Sequence, residues 1–141
     1  MNALNNVSTN MKAWVVFSGQ ADLPWLRILK PRFRHCAVLL NDGERWITVD
    51  PLSNYTDVNV HHVAPDFDLP RWMCGRGHIV IPAALSRTAK PAPVGLFSCV
   101  EAVKRILGVH NRFIFTPWQL YRHLTQTQKI TTLKGDFAWE V

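Results

Sequence analysis

The stretch Arg34–Leu52, "RHCAVLLNDGERWITVDPL", decides the fold. Two apolar, β-branched runs flank Asp42-Gly43, a dipeptide that favours a tight hairpin turn. With Asp42 and Gly43 as the two loop residues of a type I′ hairpin, Asn41 faces Glu44, Leu39 faces Trp46 and His35 faces Asp50. Opposed residues on one face have Cβ atoms about 4.5–5.5 Å apart, so Asp50 would accept from one imidazole nitrogen and leave the other free. Cys36, one residue on, points to the other face with Val38, Ile47 and Val49 and is predicted to be structural. A three-residue loop would bring Asp50 opposite Cys36 instead, so the pairing depends on the turn.

Outward from this hairpin, Lys12–Ser18 ("KAWVVFS") reads as a buried strand, and Gly19–Leu23 as the loop that ends it. "TDVNVHHV" reads as a third strand, Asp66–Trp72 as an irregular proline-containing crossing, and "GHIVIPAAL" as a further strand ended by Pro82. "SRTAKPAPVG" has the composition of an exposed linker. "GLFSCVEAVKRILG" then reads as a short helix: Cys99, Ala102, Val103 and Ile106 form an apolar face, with Glu101, Lys104 and Arg105 on the wet side. Ser98 and Glu101 form a capping box, and Gly108 suits the left-handed residue just past the end. Pro117 after Thr116 opens a short amphipathic helix, and "KITTLKGDFAWEV" suggests one more strand. Strands followed by helices predict an α+β domain, an antiparallel sheet packed against a few helices, over residues 12–141 after a loose tail at 1–11.

The composition fits a folded globular domain: 141 residues, 48% hydrophobic, with six Trp and seven Phe. No apolar run approaches the roughly 18 residues of a membrane helix, and "MNALNNVSTN" lacks the charged and apolar regions of a secretion signal. Three cysteines, an odd number, argue for reduced thiols rather than a disulfide framework. A cytoplasmic location is expected, with export by another route or release by phage lysis as the alternative. The net charge of +6, densest at Arg27, Lys30, Arg32 and Arg34, suggests an anionic partner.

If Ser98 is the N-cap, Cys99 occupies the first helical position, where free N–H groups and the helix dipole stabilise a thiolate. A nucleophilic thiol needs a base and a group to hold the base, and His35 with Asp50 supplies both. Cys99, His35 and Asp50 are therefore the candidate catalytic residues.

The order strand-His, strand-acid, helix-Cys resembles the circularly permuted papain-like hydrolases. That group is related to NlpC-type cell-wall peptidases and to lecithin:retinol acyltransferase. "RHCAVLL" matches the family's His stretch, "RWITVDPL" its acid stretch and "FSCVEAVKRILG" its cysteine helix. "FTPWQLYRHL", from Phe115, is similar to the "tPddLy" stretch that often follows that helix, so the likeness runs from about Ala13 to Leu124. Two positions depart from the pattern: Ala37 stands where a glycine usually follows the His, and the acid is Asp rather than Glu.

The resemblance implies a permuted papain-like fold and a thiol hydrolase, amidase, peptidase or acyltransferase working through an acyl-enzyme, with no cofactor. His35 would take the Cys99 proton and Asp50 would hold the imidazole. The Cys99 N–H would serve the oxyanion, with Gln119 or Gln20 as the second donor. Arg32 and Arg34 are expected to bind a peptide-like or acyl substrate bearing carboxylates or phosphates.

Three other readings stay open. One is a nucleic-acid-binding module using the basic segment with Trp25, Phe33 and Trp72 as stacking platforms. A metal site could be built from Cys74 and His78 with His61 and His62, although no second close ligand pair accompanies them. The last is a catalytically silent scaffold of the same fold.

Overall fold

A computed structural model describes residues 11–20, 24–86 and 97–136. Its strands are β1 (Lys12–Ser18), β2 (His35–Asn41), β3 (Trp46–Pro51), β4 (Thr56–His61) and β5 (Ile79–Ala83). Its helices are α1 (Leu69–Gly75), α2 (Cys99–Leu107) and α3 (Pro117–Asp136). The five strands form one antiparallel sheet in the order β4-β3-β2-β1-β5, so the chain is α+β. None of the described helices is long and apolar enough to cross a membrane.

Alternation along the central strands sends side chains to two cores. On one face Val15, Phe17, Cys36 and Val38 pack with Val100, Val103 and Leu107 of α2 and Leu120 and Leu124 of α3. On the other, Val16, Leu39 and Trp46 pack with Leu69 of α1. Phe33, on the approach to β2, joins Phe17, Trp118 and Tyr121 in an aromatic cluster with centroids 4.8–5.6 Å apart, which ties α3 to the sheet. Pro82 lies within β5 rather than ending it; β5 is an edge strand, where a missing N–H can face away from the ladder.

The hairpin register differs from the expected one. Val38 faces Val49 and Asn41 faces Trp46, so the loop has four residues, Asp42–Arg45. The cause is Asp42, whose Oδ1 accepts from the N–H groups of Glu44 (2.9 Å) and Arg45 (2.7 Å). Asn41 Oδ1 likewise accepts from Gly43 N–H at 2.7 Å. These Asx-type bonds favour the wider loop over a two-residue turn, and the same bonds hold the Asp42 carboxyl below its usual range. A shift of two residues preserves the face of every side chain.

Three helical features also differ. Asp66–Trp72, read as an irregular crossing, leads into α1, which Asp68 caps by accepting from Arg71 N–H at 3.1 Å with Pro70 in the first turn. The strand expected from Lys129 onward is helical as far as Asp136, as the continuation of α3. The buried face of α2 is Val100, Val103, Lys104 and Leu107, turned by about one residue from the expected one. Lys104 is 3% exposed rather than wet; it bonds Glu101 Oε2 at 3.0 Å and the Ile114 carbonyl at 3.2 Å, which supplies the partners a buried ammonium requires. The expected tail at 1–11 and linker after Ser86 fall almost wholly outside the described residues.

Candidate active site

Cys99 is the first residue of α2. Ser98 sits before it in an extended conformation and its Oγ accepts from Glu101 N–H at 3.1 Å. The Glu101 carboxylate turns to Lys104 and Arg105 instead of reaching back, so only half of the capping box forms. At the far end Gly108 (φ 74°) closes a Schellman motif: its N–H goes to the Arg105 carbonyl and that of Val109 to Lys104. The helix is thereby fixed at both ends, and its N-terminus is aimed at the start of β2.

His35 opens β2 and Asp50 lies near the end of β3. Continuing the observed ladder puts Asp50 opposite Ala37, so His35 is the diagonal neighbour on the same face rather than the direct partner. Contact is made nonetheless, with His35 Nε2 and Asp50 Oδ1 2.5 Å apart. Ala37 is small enough to leave this diagonal open. With Nε2 held by the carboxylate, Nδ1 is left for Cys99, and His35 interacts with that thiol by hydrogen bond and by charge.

The electrostatics follow from this packing. Burial on its own would lower the His35 pKa, but the hydrogen bonds to Asp50 and Cys99 and their charges overcome it and raise the value to about 10. The Cys99 pKa falls to about 5, chiefly through a hydrogen bond from the Cys36 thiol, with His35 and the Cys36 N–H adding to it against burial. Burial pushes the Cys36 thiol well up, and the neighbouring Cys99 charge adds to that. Thiolate and imidazolium form one coupled pair, with Cys36 as protonated donor.

Cys99 and His35 share a cleft of about 220 Å³ whose walls are mostly apolar: Trp25, Leu26, Pro51, Leu52 and Phe97, with Ser53 and Ser98. A larger, shallower hollow of about 750 Å³ around Trp14, Trp46 and Phe67 contains none of these three catalytic candidates. The chemistry therefore points to the smaller one.

The remaining candidates lie elsewhere. Gln119 Oε1 accepts from Phe115 N–H (2.8 Å) and Thr116 N–H (3.1 Å), and Thr116 Oγ1 accepts from Gln119 N–H (3.3 Å), a complete capping box at the start of α3. That carboxamide does not line the cleft, and neither does the exposed Gln20. Arg34 donates to the Arg27 carbonyl at 3.3 Å, and Arg32 is exposed at the third position of a turn, with φ 71°. Neither arginine lines the cleft. Phe33 is buried while Trp72 lies on α1, so the three proposed stacking residues share no platform. His61 pairs with Thr48 Oγ1 at 2.5 Å, and among the described residues no three His, Cys, Asp or Glu side chains gather as a metal site.

Two features of the site are absent from the sequence reading. The contact between Cys36 and Cys99 joins residues far apart in the chain, and no local signal announces it. The apolar rim is built from three separate segments, although Phe97, immediately before the N-cap, was a visible hint. The chain matches no protein-family model, no curated protein and no solved structure.

Proposed function

We propose that this chain is a cysteine-dependent acyl hydrolase or acyltransferase with a permuted papain-like arrangement of its catalytic groups. The observation that carries the reading is the arrangement itself: Asp50 holds His35 at 2.5 Å, and His35 and Cys99, from a strand and a helix N-terminus, line one cleft.

In this mechanism the Cys99 thiolate attacks a carbonyl carbon. The oxyanion is met by the Cys99 N–H at the positive end of α2. His35, already protonated, gives its proton to the leaving amine or alkoxide, and Asp50 keeps the imidazole oriented. The acyl group then rests on Cys99 as a thioester. Water or another acceptor, deprotonated by His35, releases it.

The cleft wall bears on the substrate. With neither Arg32 nor Arg34 in the lining, and Trp25, Leu26, Leu52 and Phe97 in it, a neutral apolar acyl group fits better than an acidic peptide. Hydrolysis of aryl esters with apolar, polar and acidic acyl groups tests this directly. Turnover is expected for the apolar esters and is expected to disappear in Cys99→Ala. No turnover of any ester or amide, with Cys99 unmodified throughout, would favour the silent scaffold.

A further inference from the structure

The mechanism above uses Cys36 only as a hydrogen-bond donor, yet its placement allows more. Cys36 is completely buried in β2 directly after His35, α2 packs on β2 and β3, and Cys99 at the start of α2 packs against the core cluster that contains Cys36. The two thiols differ in one respect that matters. Cys99 lines the cleft, whereas Cys36 is buried in the core and does not line it.

We propose that Cys99 and Cys36 form a hydroperoxide-responsive thiol pair, in which Cys99 is oxidised first and Cys36 resolves it to a disulfide. In the first step the Cys99 thiolate attacks the distal oxygen of a hydroperoxide; the S–O bond forms, the O–O bond breaks, and the His35 imidazolium protonates the departing alkoxide. The products are Cys99 sulfenic acid, an alcohol and neutral His35. In the second step the Cys36 sulfur attacks the Cys99 sulfur; the S–S bond forms, the S–O bond breaks, and the Cys36 proton leaves with the hydroxyl as water. Two thiols lose two electrons and one hydroperoxide gains them.

The arrangement has the elements of a redox-sensing cysteine: an ionised, accessible thiolate beside a resolving thiol. Closure to the disulfide would take Cys99 off the path to irreversible sulfinic acid. Cys74, exposed on α1 against the opposite face of the sheet, serves as an internal control.

That the disulfide silences acyl transfer rests on the function proposed above; the oxidation itself does not. The test treats the purified full chain with equimolar cumene hydroperoxide and maps non-reduced peptides by mass spectrometry. The expected product is a Cys36–Cys99 linked peptide that dithiothreitol reverses, with Cys74 largely unmodified. In Cys36→Ser, Cys99 is expected to give a dimedone-trappable sulfenic acid and then sulfinic acid. Wild-type protein in which Cys99 proceeds to sulfinic acid without a linked peptide, or in which Cys74 is the linked partner, overturns the proposal. If the linked peptide forms in a protein with no ester turnover, the thiol pair stands and the acyl-transfer reading falls.

Discussion

Acidification separates Cys99 from an ordinary thiol. At pH 5.5 a cysteine of ordinary pKa, about 8.5, is roughly 0.1% thiolate. With its pKa at about 5, Cys99 is mostly ionised there. The thiolate fractions then differ by roughly 700-fold. A less basic thiolate is also a weaker nucleophile: with a Brønsted coefficient of 0.4–0.5, a drop of about 3.5 units lowers intrinsic reactivity roughly 25–55-fold. The expected net advantage at pH 5.5 is therefore about 20-fold, and it vanishes near neutrality, where the comparison peptide is itself partly ionised. The assay is the stopped-flow rate of reaction with a dithiodipyridine, which accepts thiolates at acid pH, against a peptide spanning Gly95 to Val103. Mass spectrometry assigns the labelled residue. In His35→Ala the acid-side advantage should shrink, because the imidazolium charge and its hydrogen bond are both removed while the larger contribution of Cys36 remains. A Cys99 that reacts at pH 5.5 no faster than the peptide, in a protein shown to be folded by circular dichroism, would refute the argument that the fold holds a thiolate there.

Asp50→Asn leaves the packing nearly unchanged but withdraws the charge beside His35, and is expected to lower ester turnover by about 10²-fold or more with a small drop in the thermal midpoint. Gly108→Ala should cost about 2 kcal/mol or more in urea unfolding, since the residue has φ 74° and an added Cβ would lie 2.5 Å from the Ser86 carbonyl oxygen. The thiolate–imidazolium pair also shapes stability against pH. Below the ordinary imidazole value of about 6.5 the unfolded chain binds more protons than the folded one, so the pair's contribution falls as pH drops through about 5. Above the ordinary thiol value of about 8.5 the folded chain holds the extra proton on His35, so the contribution falls as pH rises through about 10. Wild type minus Cys99→Ala, measured by urea unfolding from pH 4.5 to 10.5, should therefore show a plateau between about pH 6.5 and 8.5, declining from there toward pH 5 on one side and pH 10 on the other. A difference that is flat throughout would contradict the ion pair.

Local chemistry carried most of what the sequence revealed. The strands of the hairpin follow from their alternation, and the facing of His35 and Asp50 survived a wrong register because the error was two residues, one full period of the strand. The register itself could not be read from Asp42-Gly43 alone, since the Asp42 carboxylate bonds its own loop and competes with the tight turn. Ser98 and Gly108 marked both ends of α2, yet the helix rotates to bury Lys104, a choice made by the distant Ile114 carbonyl. Asp68 followed by Pro70 is a legible helix start that was outweighed by the surrounding prolines and charges. The length of α3 was hidden because Ile130, Thr131 and Thr132 favour a strand by local propensity. The meeting of Cys36 with Cys99 and the cleft rim are tertiary facts, made by packing a helix on a sheet, and no window of the sequence contains them.

The most direct measurement of the central claim is intact-mass analysis of the protein within the first turnover of an aryl ester carrying an apolar acyl group. The account predicts a transient adduct of one acyl group, located on Cys99 by peptide mapping, that forms with the burst of released phenol and is absent in Cys99→Ala. In His35→Ala it should form far more slowly. An acyl group found on Cys36, Cys74 or a lysine while Cys99 stays free would contradict it.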